Sequence, residues 1–216
     1  MNPKLFSANA FRKGVALGLA AIAVFVGAMN NVAAAASIVF TSRAAFNAAT
    51  INQQIITFDD LLTSGTAQHF GAGNSVTTGG VTFSTNGPAN TLYVINRNHT
   101  PAGAFFFNSN LTANDEEYLN DNNYTGTATT ITAYLPANTR AVGAEVGYQT
   151  THGNIVNFTS FIGLSTGENF QFTLPKIPVF SFLGFISDVP ITSITFRAEG
   201  VSFTNEGSSS IENFTL

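Results

Sequence analysis

The sequence has 216 residues and a formal net charge of −4, with 8 Lys and Arg residues against 12 Asp and Glu residues. It contains no cysteine, which excludes disulfide bonds, thiol catalysis and Cys-ligated zinc. An acidic chain repels phosphate backbones and anionic membrane surfaces, so the composition argues against binding to nucleic acids or to such membranes. Divalent cations are the partners that this charge favours.

The first 36 residues have the three parts of an export signal. A basic start is followed by an uncharged apolar run over residues 15–26, and Ala34 and Ala36 then occupy the −3 and −1 positions of a signal-peptidase site. The run is shorter than the about 20 residues that cross a bilayer, which argues against an uncleaved membrane anchor. We therefore predict cleavage after Ala36, secretion or periplasmic export, and a mature chain that starts at Ser37.

The predicted mature chain, residues 37–216, has a length that suits one domain. The export signal holds three of the eight cationic residues and none of the acidic ones, so the mature chain has five cations against 12 acidic residues, a formal net charge of −7. Charged residues make up only 9% of the whole chain, which is typical of extracellular β-sandwiches whose outer faces carry uncharged polar side chains.

One helix is predicted near the start of the mature chain, over Arg43–Ala49. The segment is rich in good helix formers, and Ser42 before it has a side-chain oxygen suited to an N-cap.

The rest of the mature chain is dominated by alternation of apolar and polar side chains with a period of two. The clearest runs are residues 131–135, 142–148, 169–174 and 194–199. Glycine, proline and asparagine at Gly79–Gly80 and Pro136–Asn138 predict short turns, whereas Ser64–Ser75 and Asn108–Asn123 are predicted as longer connections. Roughly nine to eleven strands, each with one apolar face, predict an all-β fold, an antiparallel β-sandwich with one short helix.

The sequence has no catalytic signature. His69, His99 and His152 all lie in loop-like contexts without a neighbour at metal-ligand spacing, and no serine lies in a G-x-S-x-G motif. We therefore predict no enzymatic activity.

An acidic cluster covers Asn114–Glu117 and continues to Asp121. Carboxylates and amides at this density could surround a calcium ion, although the spacing of an EF-hand loop is missing. The alternative, which we favour, is a solvent-exposed acidic loop.

Aromatic residues bear on glycan binding. Most phenylalanines lie on the apolar faces of the predicted strands and are assigned to the core, although the run Phe105–Phe107 must place at least one ring on the opposite face. Sugar-binding surfaces usually stack a pyranose on tryptophan or tyrosine, and this chain has no tryptophan and five tyrosines. Tyr93, Tyr118 and Tyr124 are the candidates for a shallow glycan site.

Several segments resemble the PEP-CTERM (exosortase-associated) group of exported bacterial proteins. The segments are Phe40–Phe46, Ile56–Leu61, Gly80–Ser84, Arg140–Gly147, Phe182–Ile191 and Ile211–Phe214. The resemblance covers nearly all of the mature chain, and it implies a jelly-roll or galactose-binding-like sandwich. The chain has no Val-Pro-Glu-Pro-like sorting tail, so free secretion or periplasmic residence is expected instead of anchoring.

Acidic residues near the two ends of the mature chain form a candidate calcium site. In a strand that runs to Asp60, alternation puts this residue on the face of Phe58, and in the last strand it puts Glu212 on the face of Phe214. Carboxylates on apolar faces are costly to bury unless a cation or a proton compensates them. If the two strands lie close together, calcium could bridge them, with Asp59 and backbone carbonyls as further ligands. The position resembles the structural calcium site of galactose-binding-like modules, and the alternative is that these acids lie in solvent at the rim.

These features favour a non-enzymatic, structural or adhesive β-sandwich module of a bacterial envelope or matrix. The alternative is a carbohydrate-binding module-like domain whose partner is an extracellular polysaccharide. Neither function involves nucleic acid, or a membrane once the signal is removed.

We expect calcium to raise the Tm of the mature protein and a chelator to lower it, because a ligand that binds only the folded state stabilises that state. The measurement is thermal unfolding in calcium and in EDTA, for the wild type and for the double variant Asp60→Asn, Glu212→Gln. The double variant should lose the response, and identical melting of the wild type in both conditions would exclude the site.

Overall fold

The computed structural model describes residues 35–61, 67–72, 75–85, 90–95, 110–115, 130–149, 157–175, 180–199 and 208–216. Within these ranges the chain forms fourteen strands, one α-helix and one 3-10 turn, and the strands make two antiparallel sheets. The predicted all-β antiparallel sandwich with one short helix is therefore confirmed.

The first sheet is formed by both ends of the described chain and by its middle. Its strands are β1 (Ser37–Phe40), β2 (Ile55–Ile56), β3 (Ala67–Ala72), β6 (Asn90–Ile95), β7 (Asn110–Asp115), β9 (Ala141–Gln149), β12 (Ser181–Ser187) and β14 (Ser208–Thr215). They lie in the order β1-β12-β9-β14-β7-β6-β3, and β2 also pairs with β14. The last strand is thus central in its sheet.

The second sheet has six strands among the described residues. They are β4 (Ser75–Thr78), β5 (Val81–Thr85), β8 (Thr130–Tyr134), β10 (Asn157–Leu164), β11 (Asn169–Pro175) and β13 (Ser193–Glu199). Their order is β11-β10-β13-β8-β5-β4.

The core lies between the two sheets and is rich in phenylalanine. Phe214 of β14 is fully buried, and its ring centroid lies 5.2 Å from that of Phe83 and 6.4 Å from that of Phe196, both on the second sheet. Phe58 extends the cluster, with its centroid 5.1 Å from that of Phe83. The predicted alternation is confirmed where it matters most for this core, since Ile131, Ala133, Val142, Ala144, Val146, Ile194 and Phe196 are all buried.

Helix α1, Arg43–Ala49, covers part of the outer face of the first sheet. It has the predicted bounds, and the Ser42 side chain accepts a hydrogen bond from the amide of Ala45. Phe46 is fully buried, and a Cβ added to Gly184 of β12 would lie 2.6 Å from its ring. Glycine on the sheet therefore allows the helix to approach the backbone closely.

Arg43 fastens the start of this helix to the last strand. Its guanidinium donates to Oε1 of Glu145, to the hydroxyl of Thr215 and to the carbonyl of Asn213, each at 3.0 Å. The Arg43 guanidinium carbon also lies 4.6 Å from the ring centroid of Phe182. Because Asn213 has a φ of 47° and the register of β14 shifts at this point, Arg43 braces a β-bulge.

The chain departs from prediction in three segments. The strand expected to run to Asp60 ends at Ile56, because Phe58 adopts a φ of 66° and the 3-10 turn Asp59–Leu61 follows. The connections expected at residues 64–75 and 108–123 contain β3 and β7.

In the part of the chain described, the α-helix is too short to cross a membrane, and no other helix is a candidate span.

Truncation of Phe214 should strongly destabilise the fold, because the cavity would open at the contact between the sheets. We expect Phe214→Ala to lower the free energy of unfolding by about 3–5 kcal/mol. Urea denaturation of the mature protein measures this effect. Ile51→Ala is the control, since Ile51 is 86% exposed and its truncation should change stability by less than about 0.5 kcal/mol. Equal midpoints for the two variants would contradict this account of the core.

Candidate functional site

The outer face of the second sheet is largely polar among the side chains that the structure describes. Strand pairing aligns its side chains in rows that cross the sheet. One row is Thr77, Thr82, Tyr134 and Ser193; the next is Ser75, Ser84, Thr132, Thr195, Gly163 and Asn169; a third is Thr130, Arg197, Phe161 and Gln171. Since these residues alternate with buried residues of the core, their side chains point away from the first sheet.

Tyr134 provides an exposed aromatic ring on this face. It is 52% exposed, and it lies between Thr82 on one neighbouring strand and Ser193 on the other. Beyond Thr82 the row continues with Thr77, whose hydroxyl lies 2.8 Å from that of Thr82. The ring is therefore bordered on both sides by hydroxyl groups.

A close contact between Thr195 and Gly163 marks the middle row. The Thr195 hydroxyl accepts a hydrogen bond from the Gly163 amide at 3.1 Å and lies 3.3 Å from the Gly163 carbonyl oxygen. A Cβ on Gly163 would lie 2.7 Å from this hydroxyl and 3.2 Å from the side-chain oxygen of Asn169. Glycine at this position thus leaves room for polar groups from both neighbouring strands.

Arg197 and Phe161 form a second aromatic position. The guanidinium carbon of Arg197 lies 4.9 Å from the ring centroid of Phe161, which is within the range of a cation–π contact. From the strand spacing and the rise per residue, the Cα atoms of Phe161 and Tyr134 are about 16 Å apart. The face therefore carries two rings with hydroxyl side chains between them, and the amide side chains of Asn169 and Gln171 lie beyond Phe161 on β11.

This arrangement suits an extended polar ligand with apolar faces. Aromatic rings stack on the C–H face of a sugar, while hydroxyl, amide and guanidinium groups exchange hydrogen bonds with its hydroxyls. Several of the described side chains on this face are exposed, so an extended sugar chain can lie along the sheet.

The structure places the three predicted calcium ligands in different environments. Asp59 and Asp60 are exposed on the 3-10 turn, because the strand before them ends early. Glu212 is buried, but it faces Glu145 across β9 and β14, away from the core side chain of Phe214. The alternation that put Glu212 on the face of Phe214 is wrong, because the bulge at Asn213 intervenes.

Strand β2, which precedes Asp59 and Asp60 in the chain, pairs with β14, which carries Glu212. However, the described side chains contain no group of three or more His, Asp or Glu residues that could hold a metal ion. Calcium binding through Asp59, Asp60 and Glu212 stays a prediction.

Most of the other candidate residues lie outside the described part of the chain. This applies to His99, His152, Tyr118 and Tyr124, and to the acidic cluster beyond Asp115. The export signal also lies outside it, apart from its last two residues, as does Phe105–Phe107. His69 and Tyr93 are paired in register on β3 and β6, and only their backbone is described.

Sequence reasoning did not select Tyr134, Phe161 or Arg197 as site residues. The signal for Tyr134 and Arg197 was present, because both lie at polar positions of alternating runs. Their assembly on one face depends on the pairing of β8, β13 and β10, which are far apart in sequence.

Comparison with known families and curated proteins assigns the chain to no family. No protein-family model matches the chain, and no curated protein matches it. The resemblance to the PEP-CTERM group stays a prediction.

Solved structures similar to this chain are carbohydrate-binding modules of family 29. A single-residue variant of CBM29-2 in complex with mannohexaose is 12% identical, with a TM-score of 0.37, and the match covers 71% of this chain and 92% of that one. A variant in complex with cellulohexaose is 12% identical, with a TM-score of 0.35 and coverages of 70% and 92%. A structure described as a family 29 carbohydrate-binding module is 13% identical, with a TM-score of 0.35 and coverages of 69% and 87%.

Proposed function

We propose that the mature protein is a non-catalytic, exported β-sandwich module that binds a neutral polysaccharide along the outer face of the second sheet. The observation that carries the proposal is the half-exposed ring of Tyr134, in register with hydroxyl side chains on both neighbouring strands. An aromatic ring that is half-exposed among hydroxyl groups has the arrangement on which a sugar ring can stack.

The chemistry of the face supports a glycan over other ligands. Its described side chains are mainly hydroxyls and amides, which match the hydroxyl groups of a sugar chain. The formal charge of −7 for residues 37–216 disfavours anionic polysaccharides, so a neutral chain fits better.

A structural or adhesive module of an envelope or matrix, without glycan recognition, is the second candidate. It is favoured by the hydroxyls that already bond within the sheet, between Thr77 and Thr82 and between Thr195 and Gly163. Groups satisfied in this way form an inert polar surface, which suits a protein that is packed among others.

Removal of the Tyr134 ring should abolish most glycan binding without loss of stability. We expect the wild type to bind at least one neutral polysaccharide on a glycan array, with a Kd of about 1 mM or lower. Tyr134→Ala should weaken this binding about tenfold, which corresponds to about 1.4 kcal/mol and lies within the range of an aromatic stacking contact. Isothermal titration with the selected oligosaccharide measures the change, and thermal unfolding confirms that the variant is folded.

Two further variants separate the contributions to binding. Tyr134→Phe keeps the ring and removes the hydroxyl, so it should retain most of the affinity if stacking dominates. Ile51→Ala changes an exposed apolar residue of the first half of the chain and should bind like the wild type. Absence of glycan binding, or equal binding by wild type and Tyr134→Ala, would favour the structural or adhesive candidate.

A further inference from the structure

A carboxylate of the second sheet binds the residue at which the mature chain is predicted to start. Ser37 begins β1, the edge strand of the first sheet, and its backbone nitrogen lies 2.9 Å from Oε1 of Glu168. The Ser37 hydroxyl donates a hydrogen bond to Oε2 of the same carboxylate. Both polar hydrogens of this residue are therefore directed at one side chain that is distant in sequence.

The position of Glu168 is fixed by its own hairpin. It follows the turn between β10 and β11, where Gly167 has a φ of 95°. The backbone carbonyl of Glu168 accepts a hydrogen bond from the amide of Leu164 at 2.9 Å. The Thr166 hydroxyl donates to Oε2 at 3.0 Å. The carboxylate is half-buried and already oriented, so little side-chain entropy is lost when it binds a partner.

Export processing would change the chemistry of this contact. Signal peptidase hydrolyses one peptide bond: water supplies a hydroxyl to the carbonyl carbon of Ala36, which leaves as a carboxylate, and the nitrogen of Ser37 gains protons to become an ammonium. The neutral N–H that faces Glu168 in the full chain becomes a cation in the mature chain. Cleavage thus adds a positive charge to a donor that already faces a carboxylate, and a charge-assisted hydrogen bond becomes an ion pair.

We propose that cleavage between Ala36 and Ser37 gives the mature protein an N-terminal ion pair, in which the α-ammonium of Ser37 binds the Glu168 carboxylate and ties the first sheet to the second. The contact joins β1, an edge strand of the first sheet, to the hairpin whose strand β11 is an edge strand of the second sheet. The inference rests on the predicted export signal, and it is independent of glycan binding.

The neighbouring charges favour Glu168 as the receptor. The backbone nitrogen of Ala36 lies 3.3 Å from Oδ1 of Asp188, so a cut one residue earlier would bring the ammonium to this second carboxylate. Asp188 is exposed, and the guanidinium of Arg140 donates to its backbone carbonyl. An exposed carboxylate beside a cation should form a weaker ion pair with a new ammonium than the half-buried, pre-oriented carboxylate of Glu168 does.

The titration of the new amino group tests the proposal directly. The protein is exported with its own signal, and mass spectrometry should show a chain that starts at Ser37. Reductive methylation with ¹³C-formaldehyde then labels two amines, the α-amino group and Lys176, the single lysine in residues 37–216. In an NMR titration the pKa of the labelled α-amino group should be higher in the wild type than in the equally labelled Glu168→Gln, by roughly half a unit to one unit. It should stay close to the wild-type value in the control Asp188→Asn.

Thermal unfolding provides a second measurement on unlabelled protein. A raised pKa in the folded state means that the ion pair stabilises fully below the ordinary pKa of the amine and is lost as the pH rises through the folded value. Glu168→Gln should therefore lower Tm by a few degrees at pH 7 and by less at pH 10. In a form made with Ala36 retained, the effect of Glu168→Gln should depend less on pH, because the α-ammonium then lies at Ala36, whose nitrogen is 3.3 Å from Oδ1 of Asp188.

Two results would overturn the proposal. The first is a mature chain that starts at another residue. The second is an α-amino pKa that is the same in the wild type and in Glu168→Gln.

Discussion

The central position of the last strand is the constraint on which the rest of the structure depends. β14 lies between β9 and β7, pairs also with β2, and buries Phe214 against Phe83 and Phe196 of the opposite sheet. The first sheet is therefore incomplete, and the core is open, until the final residues are in place. Such contacts between distant segments make loop closure a large part of the folding barrier, so slow folding is the consequence of this topology.

The bulge in this strand explains an electrostatic arrangement that regular alternation would not produce. Beyond the bulge Phe214 returns to the core, while Glu212 before it lies opposite Glu145 on the outer face. Like charges directly opposite each other on paired strands are destabilising. Arg43 offsets this cost, because its guanidinium binds Glu145, and Asn213 donates a further hydrogen bond to Glu145 at 2.8 Å. The same arginine thus holds the helix, the bulge and the acidic pair.

The pattern of apolar side chains predicted strands that face the core. It did not predict strands that lack this pattern, or the positions where backbone dihedral angles set the direction of a side chain. The runs around Ile131 and Ile194 were predictable because burial imposes their period, and helix α1 was predictable because Ser42 can cap a segment of good helix formers. The sequences of β3 and β7 carry no such signal, and these strands exist because the backbone of β6 pairs with both. The face of Glu212 and the end of β2 depend on positive φ angles at Asn213 and Phe58. Phe58 has no marker of a left-handed conformation in the sequence, and asparagine adopts this conformation more often than most residues but does not require it.

The two outer faces of the sandwich differ in what covers them, and this difference is why we propose a binding surface on the second sheet. On the first sheet, phenylalanine rings cover part of the outer face. A Cβ on Gly143 would lie 2.8 Å from the ring of Phe182, and one on Gly147 would lie 2.7 Å from the ring of Phe180. On the second sheet, rows of hydroxyls remain open to solvent around Tyr134. The hairpin of β10 and β11 supplies Phe161 to this open face, and it also supplies Glu168 to the start of β1. An ion pair that holds the hairpin against the first sheet therefore also fixes one end of the surface that a glycan would contact.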